Sequence, residues 1–421
     1  MRRKLSATIA LVVAGVATLV ALPNAFGRTQ VDPGITARTV TIGGTFPLSG
    51  PASGYAPIPV GMKAYFSYVN ATRGPDGKRG VGGRQIIWKY YDDAYNPAQT
   101  VQLTQQLVQQ DKVFALVGGL GTPQQEAVRQ YLNQNKVPQL YVSTGATEYG
   151  ANLKTYPWTM GWQPDYQAES AVFGRYIAAN IPNAKIGVLY QNDDFGKDYI
   201  AGLEAGLGSH KSQIVATRGY DPTQTSVTSQ LLDLRQAGVD TLLLAALPTQ
   251  TIVAYATMAG IGWKPANIFS SSVSATTTFL TVAVQKSSPA EVNGTITTAY
   301  LKDPADPQWK NDKGMQLYFK IMAKYAPQAN AQDGNYLYGM AKAYTFVQAL
   351  RAAGKNPTRA SLMFAAEHMN DKTNPFALPG VVTKTNGARD AFPISQQELA
   401  KWQDGAFSLF GGLVDTRPKG L

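Results

Sequence analysis

Cysteine is absent from the sequence, and with it go disulfides, thiolate metal sites, a thiol nucleophile and a lipid-modified cysteine at a processed N-terminus. Histidine is nearly absent. His210 sits in the turn-like stretch GSHKS and His368 near the end of a helical pattern, so neither suits a proton relay. No Gly-x-Ser-x-Gly elbow occurs, and spaced histidine and carboxylate ligands for a metal are missing. These gaps exclude the common hydrolase constellations; the reading is a protein that is not an enzyme and carries no cofactor or metal.

Charge is also scarce. Charged residues make up 15% of the chain, and the 38 basic ones are scattered, with no stripe interleaved with aromatics, so nucleic acid is not expected as a partner. Beyond residue 27 no apolar run approaches the roughly 20 residues needed to span a bilayer. The exception lies at the start. Arg2, Arg3 and Lys4 head the apolar run SATIALVVAGVATLVAL, and PNAFG then offers a cut site near Ala25 or Gly27. Residues 1–27 therefore read as a cleavable export signal, and the expected product is a periplasmic monomer without a lipid anchor.

What is present from residue 39 onward is an alternation of short β-branched runs with helical patterns. TVTIGGTF precedes a helix over about 59–72, where Val60, Ala64, Tyr65, Tyr68 and Val69 share a face. RQIIWKYY precedes a helix opened by Asn96 as cap and Pro97 in its first turn. The rhythm predicts parallel sheet covered on both faces. It is interrupted at 155–165 and again at 299–308, and the tail predicts a hairpin turning at Asp404 and Gly405. So many strands fit two lobes better than one sheet.

Within the first series, VGGLGTPQQEAV places three glycines between a strand and a helix. It lacks the Lys-Ser/Thr ending of a phosphate loop and the dinucleotide spacing. Thr122 is predicted as N-cap with Pro123 as the first helical residue, and that end of a helix suits a carboxylate. The next strand ends in a second small polar loop, STGATEYG, so two hydroxyl-bearing loops should converge beyond the strand ends. Asp92-Asp93 and Asp193-Asp194 each follow a strand and read as caps of the next turn or helix. Phe195 is either packed or closes over a ligand.

Taken in order, VTIGGTFPLSGPASGYAPIPVGMKAYFSYVNA, YYDDAYNPAQTVQLTQQLV, GGLGTP, VSTGAT and VLYQNDDFGKDY resemble the periplasmic solute-binding proteins of ABC importers, in the branched-chain amino-acid (Leu/Ile/Val-binding) group. The resemblance implies a type I periplasmic binding fold. That is an α/β chain with two doubly wound parallel-sheet lobes joined by three crossing segments, near 159–163, 300–303 and 384–391. It implies a first lobe of 28–160 plus 303–385 and a second of 161–302 plus 386–421.

It also implies a site. Thr122 takes the place that binds the ligand carboxylate, and Gly145 and Thr147 the places that meet an ammonium with a carbonyl and a hydroxyl, Thr147 also donating its amide to the carboxylate. Gly121, Ser143 and Ala146, in the same two motifs, complete the first-lobe set. Tyr55 lines the pocket, and Phe195 stands where a second-lobe tyrosine is usual. Two places depart. Val273, flanked by Ser272 and Ser274, stands where an acid would pair with the ammonium, and Leu247 stands where an aromatic is usual. An ammonium shut in without a counter-charge costs a few kcal/mol. The expectation is an ABC-importer receptor for a small carboxylate, either an amino acid or an acid lacking an ammonium, delivering it to an inner-membrane permease. The alternative is a sensor presenting a ligand-dependent surface to a receptor.

Overall fold

The structure is a computed structural model, described for residues 32–387 and 389–417. The expected export segment at 1–27 lies outside the described residues. No helix among those described is long and apolar enough to cross a membrane.

Five strands form a parallel sheet: β1 (Thr39–Phe46), β2 (Gln85–Asp92), β3 (Ala115–Val117), β4 (Gln139–Val142) and β5 (Thr159–Gly161), in the order β2-β1-β3-β4-β5. The helices between them are α1 (Pro57–Ala71), α2 (Pro97–Gln109), α3 (Thr122–Gln134) and the short α4 (Glu148–Ala151). Helix α1 forms because Ile58, Met62, Tyr65, Phe66 and Val69 recur at helical spacing and are buried together. Asn96 caps α2 as expected, its side chain accepting from the amides of Ala98 and Gln99 with Pro97 in the first turn.

A second sheet repeats that order. Strands β6 (Ile186–Gln191), β7 (Ile214–Tyr220), β8 (Thr241–Ala245), β9 (Asn267–Ser270) and β10 (Ile296–Ala299) run parallel as β7-β6-β8-β9-β10. They alternate with α5 (Tyr166–Asn180), which follows β5, then α6 (Asp194–Leu207), α7 (Thr228–Gln236), α8 (Pro248–Gly260), α9 (Thr277–Lys286) and α10 (Pro289–Val292). Three further helices follow: α11 (Lys313–Tyr325), α12 (Gly334–Ala352) and α13 (Arg359–Glu367). They share a core with the first sheet, in which Ile42, Met62 and Phe66 pack with Met315, Leu337 and Phe346.

After a two-residue pair, β11 (Asn370–Asp371) with β12 (Thr383–Lys384), the chain adds β13 (Gln396–Gln403) and β14 (Ala406–Asp415) to the second sheet. Both are antiparallel, so this sheet is mixed at one edge. The hairpin turns at Asp404 and Gly405, both with positive φ, which is the geometry a two-residue β-turn needs. The strand order reverses between β1 and β3 in the first sheet and between β6 and β8 in the second. Open α/β sheets bind ligands at such reversals, beyond the carboxyl ends of the strands.

Candidate functional site

The loops leaving those carboxyl ends meet around a cavity of about 160 Å³. Tyr55 comes from the loop after β1, Gly121 and Thr122 from the loop after β3, and Ser143 from the end of β4. Across from them stand Phe195 after β6, Leu247 after β8, and Ser272 and Val273 after β9. Eight of the eleven positions expected from sequence are therefore brought together.

Three are not. Gly145, Ala146 and Thr147 lie off the lining, and their polar groups are engaged by protein. The Gly145 carbonyl accepts from the Tyr166 amide at 2.7 Å, and a side chain at Gly145 would meet the Pro164 carbonyl oxygen at 2.3 Å. Thr147 donates its hydroxyl to Asp165 at 2.5 Å and its amide to Asp198 at 2.8 Å. A carboxylate of the chain itself thus occupies the Thr147 amide, the group expected to meet a ligand carboxylate.

Helix α3 begins one residue earlier than expected. Gly121, at φ 103°, is the N-cap and Thr122 the first helical residue. Glycine suits this position because a φ of 103° is strained for any residue with a side chain. Thr122 is consequently not a side-chain cap. Its hydroxyl shares a 2.6 Å hydrogen bond with that of Thr144, and its amide belongs to the first turn, whose N–H groups have no intrahelical acceptor. The positive end of the α3 dipole is directed at this corner of the cavity.

The aspartate pairs are caps, as read. Asp93 accepts from the Tyr95 amide and the Thr100 hydroxyl, and Asp193 caps α6 through the Gly196 amide. Burial pushes both carboxyls up to about 6, against the lowering effect of those hydrogen bonds. His210 lies in a 3-10 turn, Gly208–Gln213. His368 follows α13, bonds its Nδ1 to the Phe364 carbonyl and stacks on the Phe364 ring at 4.2 Å.

The rest of the lining comes from residues the sequence reading passed over, chiefly Tyr95, Gln163, Tyr166, Tyr300 and Tyr338. Tyr338 donates to Gln163 Oε1 at 2.6 Å, and Gln163 Nε2 donates to the Tyr166 hydroxyl at 3.2 Å. The signal for some of them was visible in the interruptions at 155–165 and 299–308, which hold Gln163 and Tyr300. Two carboxylates also reach the lining, Asp303 and Asp306, and both are engaged: Asp303 with Thr277 and the Ala305 amide, Asp306 with the Gln308 amide. Lys302 there pairs with Asp312 at 2.7 Å.

The lobes touch across the cavity. Tyr55 Oη donates to the Val273 carbonyl at 2.9 Å, Thr249 Oγ1 to the Pro51 carbonyl at 2.9 Å, and Gln191 Nε2 to Tyr95 Oη at 3.2 Å. Behind the Val273 loop, Glu169 is buried and accepts from both the amide and the hydroxyl of Ser272, each at 2.8 Å. Burial pushes its carboxyl up to about 7 in spite of those two bonds.

Residues 39–406 match the family described as periplasmic binding protein. The chain belongs to that family. Among curated relatives, it is 24% identical over 381 residues to the Leu/Ile/Val-binding protein homolog 2 of Brucella abortus, covering 90% of this chain and 95% of that one. Similar solved structures share the fold of this periplasmic binding protein. One is a branched-chain amino acid ABC transporter protein from Thermus thermophilus with bound valine (TM-score 0.77, 17% identity, 90% of this chain and 97% of that). Another is a fatty acid ABC transporter substrate-binding protein from Thermomonospora curvata (0.75, 19%, 92% and 95%). A third is a solute-binding protein from R. palustris in complex with 4-hydroxybenzoate (0.72, 16%, 91% and 98%). The two lobes of this chain have the architecture of the type I periplasmic binding fold that these structures share.

Proposed function

We propose that this protein is an extracytoplasmic receptor that closes over a small carboxylate-bearing molecule with an aromatic or branched aliphatic body and no ammonium group, and hands it to an ABC permease in the inner membrane. The observation that carries the reading is the pairing of Thr122, at the amino end of α3, with an apolar wall of Tyr55, Phe195, Leu247 and Val273 on one cavity. The helix end supplies amides and positive potential for the acid, and the wall takes the body. A volume of about 160 Å³ suits a single ring or a short branched chain, since a cavity of about 150 Å³ holds benzene.

The ammonium is disfavoured because the groups expected to receive it are engaged elsewhere. The Gly145 carbonyl and the Thr147 hydroxyl bond to Tyr166 and Asp165, and Val273 offers no charge. Valine, a fatty acid and 4-hydroxybenzoate, named with the similar structures, share a carboxylate and little else. That common group supports the choice of anchor.

A thermal-shift and calorimetric comparison of leucine with isocaproate, which is leucine without its ammonium, and with 4-hydroxybenzoate tests this. A specific ligand raises the melting temperature by mass action. Isocaproate or 4-hydroxybenzoate should bind at least tenfold more tightly than leucine; tighter leucine binding overturns the exclusion of the ammonium. No response to any of the three overturns the carboxylate reading itself.

A further inference from the structure

The first-lobe wall of the cavity hides a lysine. Lys342, on α12, is 0% exposed and joins no ion pair among the described residues. Its Nζ is hydrogen-bonded to two oxygens of the lining, Ser143 Oγ and, at 3.0 Å, Tyr338 Oη. Each of those hydroxyls has already placed its own hydrogen: Ser143 donates to the Gly118 carbonyl at 2.7 Å and Tyr338 to Gln163 Oε1 at 2.6 Å. Both therefore accept from Nζ, which a neutral amine satisfies with its two hydrogens. The remaining surroundings are apolar or π-rich. The Tyr338 and Trp162 rings lie 4.2 and 5.3 Å from Nζ, and the stem packs near Gly118 and, beyond it, Met62.

A lysine buried this way without a carboxylate holds its proton poorly. Burial lowers its proton affinity well below the ordinary lysine value. The titratable groups around it are the phenols of Tyr338 on its own helix and of Tyr166 and Tyr300, across Gln163 and Trp162; burial raises all three, so they stay neutral. The acids acting on these phenols, Glu169 on Tyr166 and Tyr300 and Asp193 on Tyr166, form no ion pair with Lys342. The one lysine on the lining itself, Lys302, already has Asp312. The site is thus built with a single unspent basic group, one hydroxyl behind the wall on which the carboxylate is read to rest.

We propose that Lys342 is the latent counter-charge of this site: an anionic ligand at Thr122 draws a proton from solvent onto Lys342 Nζ, so ligand binding is coupled to proton uptake. The inference rests on the carboxylate reading above. Lys342 acts through Ser143 and Tyr338 and is a positioning residue. The ammonium form places a positive charge one hydroxyl behind the cavity wall, which the neutral amine does not. Between the lysine's unliganded and liganded proton affinities, each unit of rising pH weakens binding about tenfold; above both, the linkage vanishes.

Calorimetry of isocaproate and 4-hydroxybenzoate binding tests this on the full exported chain, in buffers of different ionisation enthalpy. Uptake of up to one proton per ligand is expected, with affinity falling as pH rises. Lys342→Met keeps the volume and removes the amine. It should weaken binding at least tenfold near the acid end of the range, release no buffer-dependent heat, and approach the unmodified protein at high pH. Binding without proton uptake in the unmodified protein overturns the inference even if Lys342→Met fails to fold, and leaves the carboxylate reading standing. Failure of both acids to bind overturns the two together.

Discussion

Tyr55 and Val273, 218 positions apart in the chain, are joined by a 2.9 Å hydrogen bond from the phenol to the backbone carbonyl, and both line the cavity. The bond exists only while the lobes are together. It uses a main-chain oxygen of the second lobe to hold the first. Tyr55 packs edge-on against Phe279 at 5.9 Å, so its ring stays placed when the hydroxyl is removed.

Tyr55→Phe should therefore shift the balance toward the open form without disturbing the pocket shape. The lost bond is worth about 1 kcal/mol, or roughly a fivefold loss of affinity, because a ligand favours closure only by the difference between the two states. Small-angle scattering should show a larger fraction of extended molecules at subsaturating ligand. An unchanged affinity and scattering profile would remove this bond from the closure mechanism.

Thr122→Val keeps the β-branched shape and deletes the hydroxyl that pairs with Thr144 at 2.6 Å. If the carboxylate draws on that hydroxyl and the adjacent amides, affinity should drop about tenfold to a hundredfold, the range of one hydrogen bond to a charged group. The melting temperature without ligand should change far less than the ligand-induced shift does. Equal binding by both proteins in calorimetry would place the acid elsewhere.

Much of this organisation was legible in the sequence because it is local. The first helix with Ala64, Tyr65 and Val69 on its buried face, the Asn96-Pro97 start and the Asp404-Gly405 turn follow from short-range chemistry, although Val60 and Tyr68, read onto the same face, are only half-buried and Ile58, Met62 and Phe66 complete it. The start of α3 shifted by one residue because a glycine with positive φ can cap a helix through backbone geometry alone, which leaves no side-chain signature. Gly145 and Thr147 were placed by resemblance, and at this level of identity their neighbours Tyr166, Asp165 and Asp198 redirect the same residue types into structure. Lys342 escaped notice for another reason. A single lysine in the helical run YLYGMAKAYTF reads as one exposed position, and only the packing of α12 against β4 reveals that it faces inward.

Thr147→Ala separates the two accounts of that loop. Its hydroxyl serves Asp165 at the start of α5, so removing it should lower the melting temperature, by about 1–2 °C for a chain of this size, while ligand affinity stays within about twofold. A loss of affinity tenfold or greater with normal stability would return Thr147 to the ligand.

Glu169 gives the pH dependence of the fold a definite sign. Its carboxyl stands at about 7 in the folded protein against 4.5 as the reference value, because burial outweighs the two bonds from Ser272. A folded-state value above the unfolded one means the native protein binds the proton more tightly. The resulting stabilisation is present below about pH 4.5 and is lost as pH rises through about 7. Over that window the loss attributable to this group is on the order of 3 kcal/mol. Glu169→Gln removes the titration and retains one acceptor for the Ser272 amide. The denaturation midpoint of the unmodified protein should therefore fall relative to the variant as pH is raised across the window, and the difference should level off above it. A difference independent of pH would mean that Glu169 is ionised in the folded state throughout, and that the Ser272 loop carries a buried negative charge behind the cavity wall.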